Sequence, residues 1–290
     1  MELSPAERRV WNRLPSGTRD ALLGLPPTDL QTLLLSVAKS RASRIRPQHL
    51  LRRWREDRFV RPAETDLRST AAAEAHLWNL LPPDFEGVEL SPVAPIGTCS
   101  ALAPVSQNRV VTTMRSTEVL SDATNALALE AATRRLRQPR SGAVHLAASH
   151  RLLRAQQFGP GAPAHFRLFS LVSSARDTGS GSTQARMLTL HLAYWHRVLP
   201  SLRLLYTVID SDVLRERITD AVSLTVPVEE EPDRRRGAGY YRGAAIRLVT
   251  TAQELGDGGF TTWTAQLMND AKELCFTSCL SIDRLATLHP

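Results

Sequence analysis

The sequence predicts an α+β fold: a mostly antiparallel sheet flanked by helices, behind a small helical segment at the N-terminus. Three observations lead there. With 290 residues and 42% hydrophobic content, the chain can bury one large core. Its apolar residues recur at intervals of three and four up to about residue 62, whereas from about residue 75 alternating runs take over, with helical stretches between them. Those strands and helices do not alternate regularly as βαβ units would, which favours antiparallel pairing.

SPAERRVWNRL begins on Ser4 with Glu7 three residues later, the pattern of a capping box. PTDLQTLLLSVAKS and RPQHLLRRWRED carry helical spacing broken by Pro26, Pro27 and Pro47, so two or three short helices are expected. RPAETD, with Pro62, reads as the joint between a basic helical segment over residues 1–70 and a core over residues 75–290.

In the core, NRVVTTMR reads as a strand and DATNALALEAATRRLR as a helix whose N-terminal Asp122 suits the helix dipole. AVHLAAS and AHFRLFSLVSS read as sheet strands, ARDTGSGST as a loop, and QARMLTLHLAYWHRVL as a helix. SLRLLYTVI, VSLTVPV, YYRGAAIRLVT and KELCFTSCL are further strands, with short helices at TTWTAQLMND and SIDRLATLH. Tyr240 and Tyr241 open a strand and should therefore point to opposite faces.

Residues 1–62 hold 13 Lys or Arg against 6 Asp or Glu, a net charge of +7, while residues 63–290 hold 23 of each. A basic helical segment of this kind can meet RNA or a protein partner, but with no aromatic interleaving and no binding motif a solvated helix surface is the better reading. No apolar run approaches the roughly 20 residues that cross a bilayer, and the N-terminus lacks the order of a signal peptide, so a cytoplasmic protein with no membrane partner is expected. Cys99, Cys275 and Cys279 make neither a disulfide framework nor a zinc pattern, and no metal site is expected. There is no GxxxxGK[ST] loop, no GxGxxG after a strand, no HExxH and no GxSxG. His191 and His196 are five residues apart and share no helical face.

What remains is a set of arginines beside strands, turns and glycines: Arg167, Arg176, Arg236 and Arg284. Arginine's planar fork binds phosphate bidentately, and a sheet can hold several forks around one polyanion. Arg234 and Arg235, just before Arg236, read as solvated.

The order of these pieces resembles histidyl-tRNA synthetases and the regulatory subunit of ATP phosphoribosyltransferase, both built on the class II aminoacyl-tRNA synthetase core. RGAGYY is similar to RGLDYY, with Arg236 at an arginine that helps amino-acid activation. VVTTMRSTEVLSDATNALALEA resembles the segment ending in LRPEGT, which puts Asp122 and Thr124 at substrate amino-group contacts. AHFRLFSLVSSARDTGSGSTQ resembles motif 2, two antiparallel strands joined by a loop over ATP, with Arg167 at the α-phosphate and Arg176 also at ATP. GDGGFTTW resembles the glycine-rich strand GGRYDGL, which brings Gly258 and Gly259, with Tyr240 and Tyr241, to the substrate. FTSCLSIDRL resembles motif 3, with Arg284 at the γ-phosphate. Phe169 stands where motif 2 has a glutamate, and Thr277, Cys279 and Ser281 stand where motif 3 has glycines. After the motif 3 resemblance only Leu285 to Pro290 follow, so no C-terminal anticodon-binding domain and no ordinary tRNA charging are expected.

The resemblance implies a homodimer, ATP and Mg²⁺ as cofactors, and an amino acid or small carboxylate as ligand. Three readings follow. In one, the protein activates a carboxylate as an acyl-adenylate, with Arg167 and Arg236 as catalytic residues. In the second, it is an inactive paralogue that regulates or senses through a retained amino-acid pocket. In the third, it is a platform for tRNA or another nucleic acid.

Overall fold

The structure, a computed structural model, describes residues 3–139, 141–159, 163–234 and 239–288. Four helices come first: α1 (Pro5–Trp11), α2 (Thr18–Leu23), α3 (Pro27–Ala42) and α4 (Pro47–Glu56). Proline stands in the first turn of α1, α3 and α4, where its missing N–H costs nothing. The Ser4 hydroxyl accepts the Glu7 N–H at 3.2 Å, and Glu7 accepts the Ser4 N–H at 2.7 Å, which closes the expected capping box. None of these helices buries a residue, and Leu33, Val37, Leu50, Leu51 and Trp54 are exposed along them. The N-terminal part thus has helical structure without a core of its own.

The core opens with α5 (Leu67–Asn79), β1 (Glu86–Gly87), β2 (Val93–Pro95), α6 (Thr98–Leu102) and β3 (Thr117–Val119). It continues with α7 (Ala123–Arg135), β4 (Ala143–Leu153), β5 (His165–Arg176), α8 (Ser182–Val198), β6 (Arg203–Val208), α9 (Asp212–Arg217) and β7 (Glu229–Glu230). It ends with β8 (Arg242–Val249), β9 (Glu254–Thr261), α10 (Trp263–Met268), β10 (Glu273–Ser281) and α11 (Ile282–Ala286). Eight strands form one sheet in the order β1-β4-β5-β10-β9-β8-β6-β7. The inner six are antiparallel to their neighbours, and each edge is closed by a two-residue parallel strand. This is the predicted α+β sheet flanked by helices.

Alternation along each strand sends residues to two cores. Phe169, Leu171, Phe276 and Leu280 pack with Leu188, Leu192, Tyr194 and Trp195 of α8 on one face, where α5 and α11 also lie. Leu146, Val172 and Cys275 pack under Leu127, Ala128 and Ala131 of α7 and Trp263 of α10 on the other. The two faces are hereafter the α8 face and the α7 face. A buried ion pair fixes α7 to the sheet: Arg135 Nη2 donates to Glu273 at 2.7 Å and Nε at 3.1 Å, while Nη1 donates to the Gly142 carbonyl at 2.7 Å.

Three expectations change. NRVVTTMR is no sheet strand: it folds back at Ser116, whose φ is 54°, and its Val111 carbonyl accepts from Val119 in a local hairpin arm. VSLTVPV is no strand either, because Val222 and Val226, four apart, bury at helical spacing after a π-helical turn at Ile218–Val222. The stretch read as motif 2 is one strand followed by a helix: β5 runs into α8. The antiparallel pair joined by a loop is instead β4 and β5, whose loop lies between Leu153 and His165.

Candidate functional site

Local sequence builds one polar cavity on the α7 face. Asp122 N-caps α7, its Oδ1 accepting the Thr124 N–H at 3.0 Å and hydroxyl at 2.7 Å. Arg154, at the start of the β4–β5 loop, donates from Nε to the Ser121 carbonyl at 2.8 Å and faces Asp122 Oδ2 at 3.8 Å. The Phe166 ring lies 5.1 Å from the Arg154 guanidinium carbon. Asp257 of β9 and Arg109 also line the cavity, and Gln156, Cys99 and Ser121 complete the polar wall. Tyr240 and Tyr241, edge to face at 4.9 Å, both line the same cavity, of about 330 Å³. They lie in the turn before β8 rather than on it, so strand alternation does not separate them.

The neighbours hold this cavity open. A Cβ on Gly259 would lie 2.5 Å from the Tyr241 ring, so only glycine lets that ring rest on β9. The Arg234 side chain, only 5% exposed, donates to Asp257 at 3.2 Å and lies 5.5 Å from the Tyr241 ring centre. The expectation of a solvated Arg234 is therefore corrected: it holds Asp257 and Tyr241 in place. Glu118, buried, accepts the N–H groups of Gly97 and Cys99 and the Gln107 amide, which shapes α6 beside the cavity. Arg58, beyond α4, donates to the Gln156 carbonyl at 2.8 Å and to that of Ala155, tying the N-terminal part to the cavity loop.

Burial raises the Tyr240 and Tyr241 phenols well above their ordinary value, so both stay neutral. Burial likewise raises the Cys99 thiol, and raises Cys279 well up, with Asp257 adding to it. None of this makes a nucleophile. Beside the cavity, both amide atoms of Asn125 are buried with no hydrogen-bond partner among the described residues.

The other expected residues lie elsewhere. Arg167 projects to the α8 face, where Glu74 is 3.2 Å away, and its neighbour Phe169 is core packing against Trp78 and Tyr194. Arg176 pairs with Asp270, nine residues along β5 from Arg167, roughly 30 Å at a strand's rise. Arg284 is exposed and donates to the Glu254 carbonyl at 2.6 Å. Gly258 faces away from the cavity, its missing Cβ being 2.3 Å from the Thr277 carbonyl. Thr124 is buried against Asp122. Arg235 and Arg236 lie outside the described residues.

The residues that sequence reasoning passed over are Arg154, Gln156, Arg109 and Asp257. The first two had a signal: LRAQ sits where an alternating strand meets a glycine- and proline-containing loop. Arg109 and Asp257 had none, because long-range pairing brings them in. Among the described residues no group of three or more His, Cys, Asp or Glu is placed to hold a metal ion. Arg167, Arg176 and Arg284 do not line this cavity.

Among solved structures the fold has clear counterparts. An ATP phosphoribosyltransferase regulatory subunit/histidyl-tRNA synthetase from Bacillus halodurans superposes over 78% of this chain and 82% of its own, with a TM-score of 0.63 and 11% identity. The S. aureus histidyl-tRNA synthetase matches over 76% of this chain with a TM-score of 0.55 and 16% identity, and this chain spans 65% of that one. The pyrrolysyl-tRNA synthetase from Desulfitobacterium hafniense matches over 83% of this chain and 74% of its own, with a TM-score of 0.52 and 12% identity. At such identities the likeness is one of fold, the class II synthetase-like α+β fold. No protein-family model and no curated protein matches the chain. No helix among the described residues is long and apolar enough to cross a membrane.

Proposed function

We propose that the chain is a synthetase-fold module that binds a free amino acid in the cavity between Asp122 and Tyr241 and signals its presence, rather than activating it with ATP. One observation carries the reading. A cavity of about 330 Å³ presents two carboxylates and two guanidinium groups, Asp122, Asp257, Arg109 and Arg154, above two neutral tyrosines. Such a charge pattern complements a zwitterion: Asp122 takes the ammonium group and Arg154 the carboxylate, each as a charge-assisted hydrogen bond in a partly dry site. The tyrosine rings supply apolar contact with O–H donors at the tip, the usual make-up of a small-molecule pocket.

Adenylate formation needs donors aimed at the developing phosphate charge. With Arg167, Arg176 and Arg284 directed elsewhere, the regulatory reading has more support than the catalytic one. The basic helices α1–α4, with exposed Leu50, Leu51 and Trp54, serve in this reading as the attachment surface for RNA or a protein partner.

The test is a thermal-shift screen of the twenty amino acids, paired with pyrophosphate exchange into ATP for each. One or a few amino acids should raise the melting temperature without exchange. Exchange with any amino acid would establish the catalytic reading instead, and no shift with any would refute an amino-acid pocket.

A further inference from the structure

On the α8 face, across the sheet from Asp122, lies a second cleft, of about 450 Å³, between α8 and the segment running from α9 through its π-helical turn. Two helical rows wall it. Ser182, Arg186 and Thr189 lie on one side of α8, at intervals of four and three, and Arg217, Ala221 and Thr225 recur every four residues opposite. Small side chains, Ala185 and Ala221, leave room between the walls, and with Leu190 they give an apolar floor.

Many arginines of the core are paired with a carboxylate, though Arg151, Arg197 and Arg284 meet a ring nitrogen or a carbonyl instead. Arg134, Arg135, Arg167, Arg176, Arg203, Arg215, Arg234 and Arg247 each sit against a carboxylate. Arg186 and Arg217 have no carboxylate within ion-pair distance among the described residues, and no carboxylate lines the cleft they share. Arg217 Nε donates to the Ser180 carbonyl at 2.8 Å, which leaves its two terminal nitrogens for a ligand. Arg186 Nη2 reaches Thr183 only at 3.4 Å. Ser182, Thr189 and Thr225 add hydroxyls, and the N-terminus of the 17-residue α8, which has no side-chain cap, opens on the same cleft. A π-helical turn within one wall is the kind of irregularity that recurs at functional sites.

We propose that this cleft binds a phosphorylated small molecule, with the phosphomonoester on Arg186 and Arg217 and an apolar body against Ala185, Leu190 and Ala221. Two arginine forks with no competing carboxylate favour a dianion over a monoanion. The volume suits a ligand of metabolite size. The site is separate from the amino-acid cavity and does not depend on it.

Titration calorimetry with inorganic phosphate and with phenyl phosphate, at ionic strength matched with chloride, tests this. Phenyl phosphate should bind several-fold more tightly than phosphate because of the apolar floor. Replacing both arginines (Arg186→Ala with Arg217→Ala) should weaken both ligands by about tenfold or more. Ala221→Leu should weaken phenyl phosphate while sparing phosphate. Both arginines are exposed, so circular dichroism should be unchanged, and Arg154→Ala should leave phosphate binding intact, which separates this site from the amino-acid cavity. No heat with either ligand, or heats unaltered in the double arginine variant, would overturn the proposal.

Discussion

Arg154 faces Asp122 across 3.8 Å at the wall of the cavity, each held by a bond of its own to the α7 N-terminus. Asp122 has two jobs there, capping α7 and offering charge. Asp122→Asn keeps the cap and removes the charge, whereas Asp122→Ala loses both. The first should abolish the thermal shift given by the amino acid with little change in the unliganded melting temperature. The second should in addition cost about 1 kcal/mol of stability in urea unfolding. An Asn variant that still responds to the amino acid would exclude Asp122 as the ammonium partner.

Gly259 and Gly258 are adjacent but face opposite ways. Gly259→Ala pushes a methyl group into the Tyr241 ring and should remove ligand binding while the protein stays folded. Gly258→Ala meets the Thr277 backbone carbonyl and forces β9 away from β10, which should cost of order 1–3 kcal/mol. Equal loss of stability in the two variants would show that Tyr241 is not held by Gly259.

The Arg135–Glu273 pair is nearly solvent-free, at 1% and 2% side-chain exposure. Glu273→Leu alone strands the guanidinium and should cost about 3–5 kcal/mol. Pairing it with Arg135→Met should restore much of that, because desolvation of both charges is then relieved. A double variant no better than the single one would show that the carbonyl contacts of Arg135, not the ion pair, anchor α7.

His191 is buried between two serines, its Nε2 2.8 Å from Ser173 and its Nδ1 2.8 Å from Ser278, while Trp195 donates to Ser278 and Ser173 meets His145. Burial holds it well below its ordinary value of 6.5, and lowers His145 and His150 too. The folded state therefore keeps these rings neutral while the unfolded chain takes up protons below about pH 6.5. Stability should be full above that value and fall as the pH drops from 6.5 to 5. Melting curves across that range should show a shallower slope for His191→Gln; an unchanged slope would assign the effect to other groups.

The helices α1–α4 bury no residue, so deleting residues 1–56, which spares Arg58, should leave the melting temperature of the core nearly unchanged. The same deletion should remove any RNA retention whose strength falls steeply with salt, since most of the excess charge goes with it. Retention that survives would place RNA on the core.

Much of the fold was legible because its signals are local. Period-two alternation marked β4, β5, β6, β8 and β10, and Asp122 announced α7. The misses were also physical: Val222 and Val226 look like strand residues until their spacing of four is seen to match a helical turn. The motif 2 hairpin was displaced by one strand, since the sequence shows which segments extend but not which are neighbours.

By itself, then, the sequence determined the α+β class, the basic N-terminal segment and Asp122 as the cap of α7, all properties of short stretches. Only the tertiary structure decided which arginines line the cavity. Strand register sends Arg167 to one side of the sheet, a loop brings Arg154 to the other, and β9 supplies Asp257 from a hundred residues away. Side chains one position apart on a strand lie on opposite faces, so which of them meet is fixed by pairing, and pairing is settled by the whole chain.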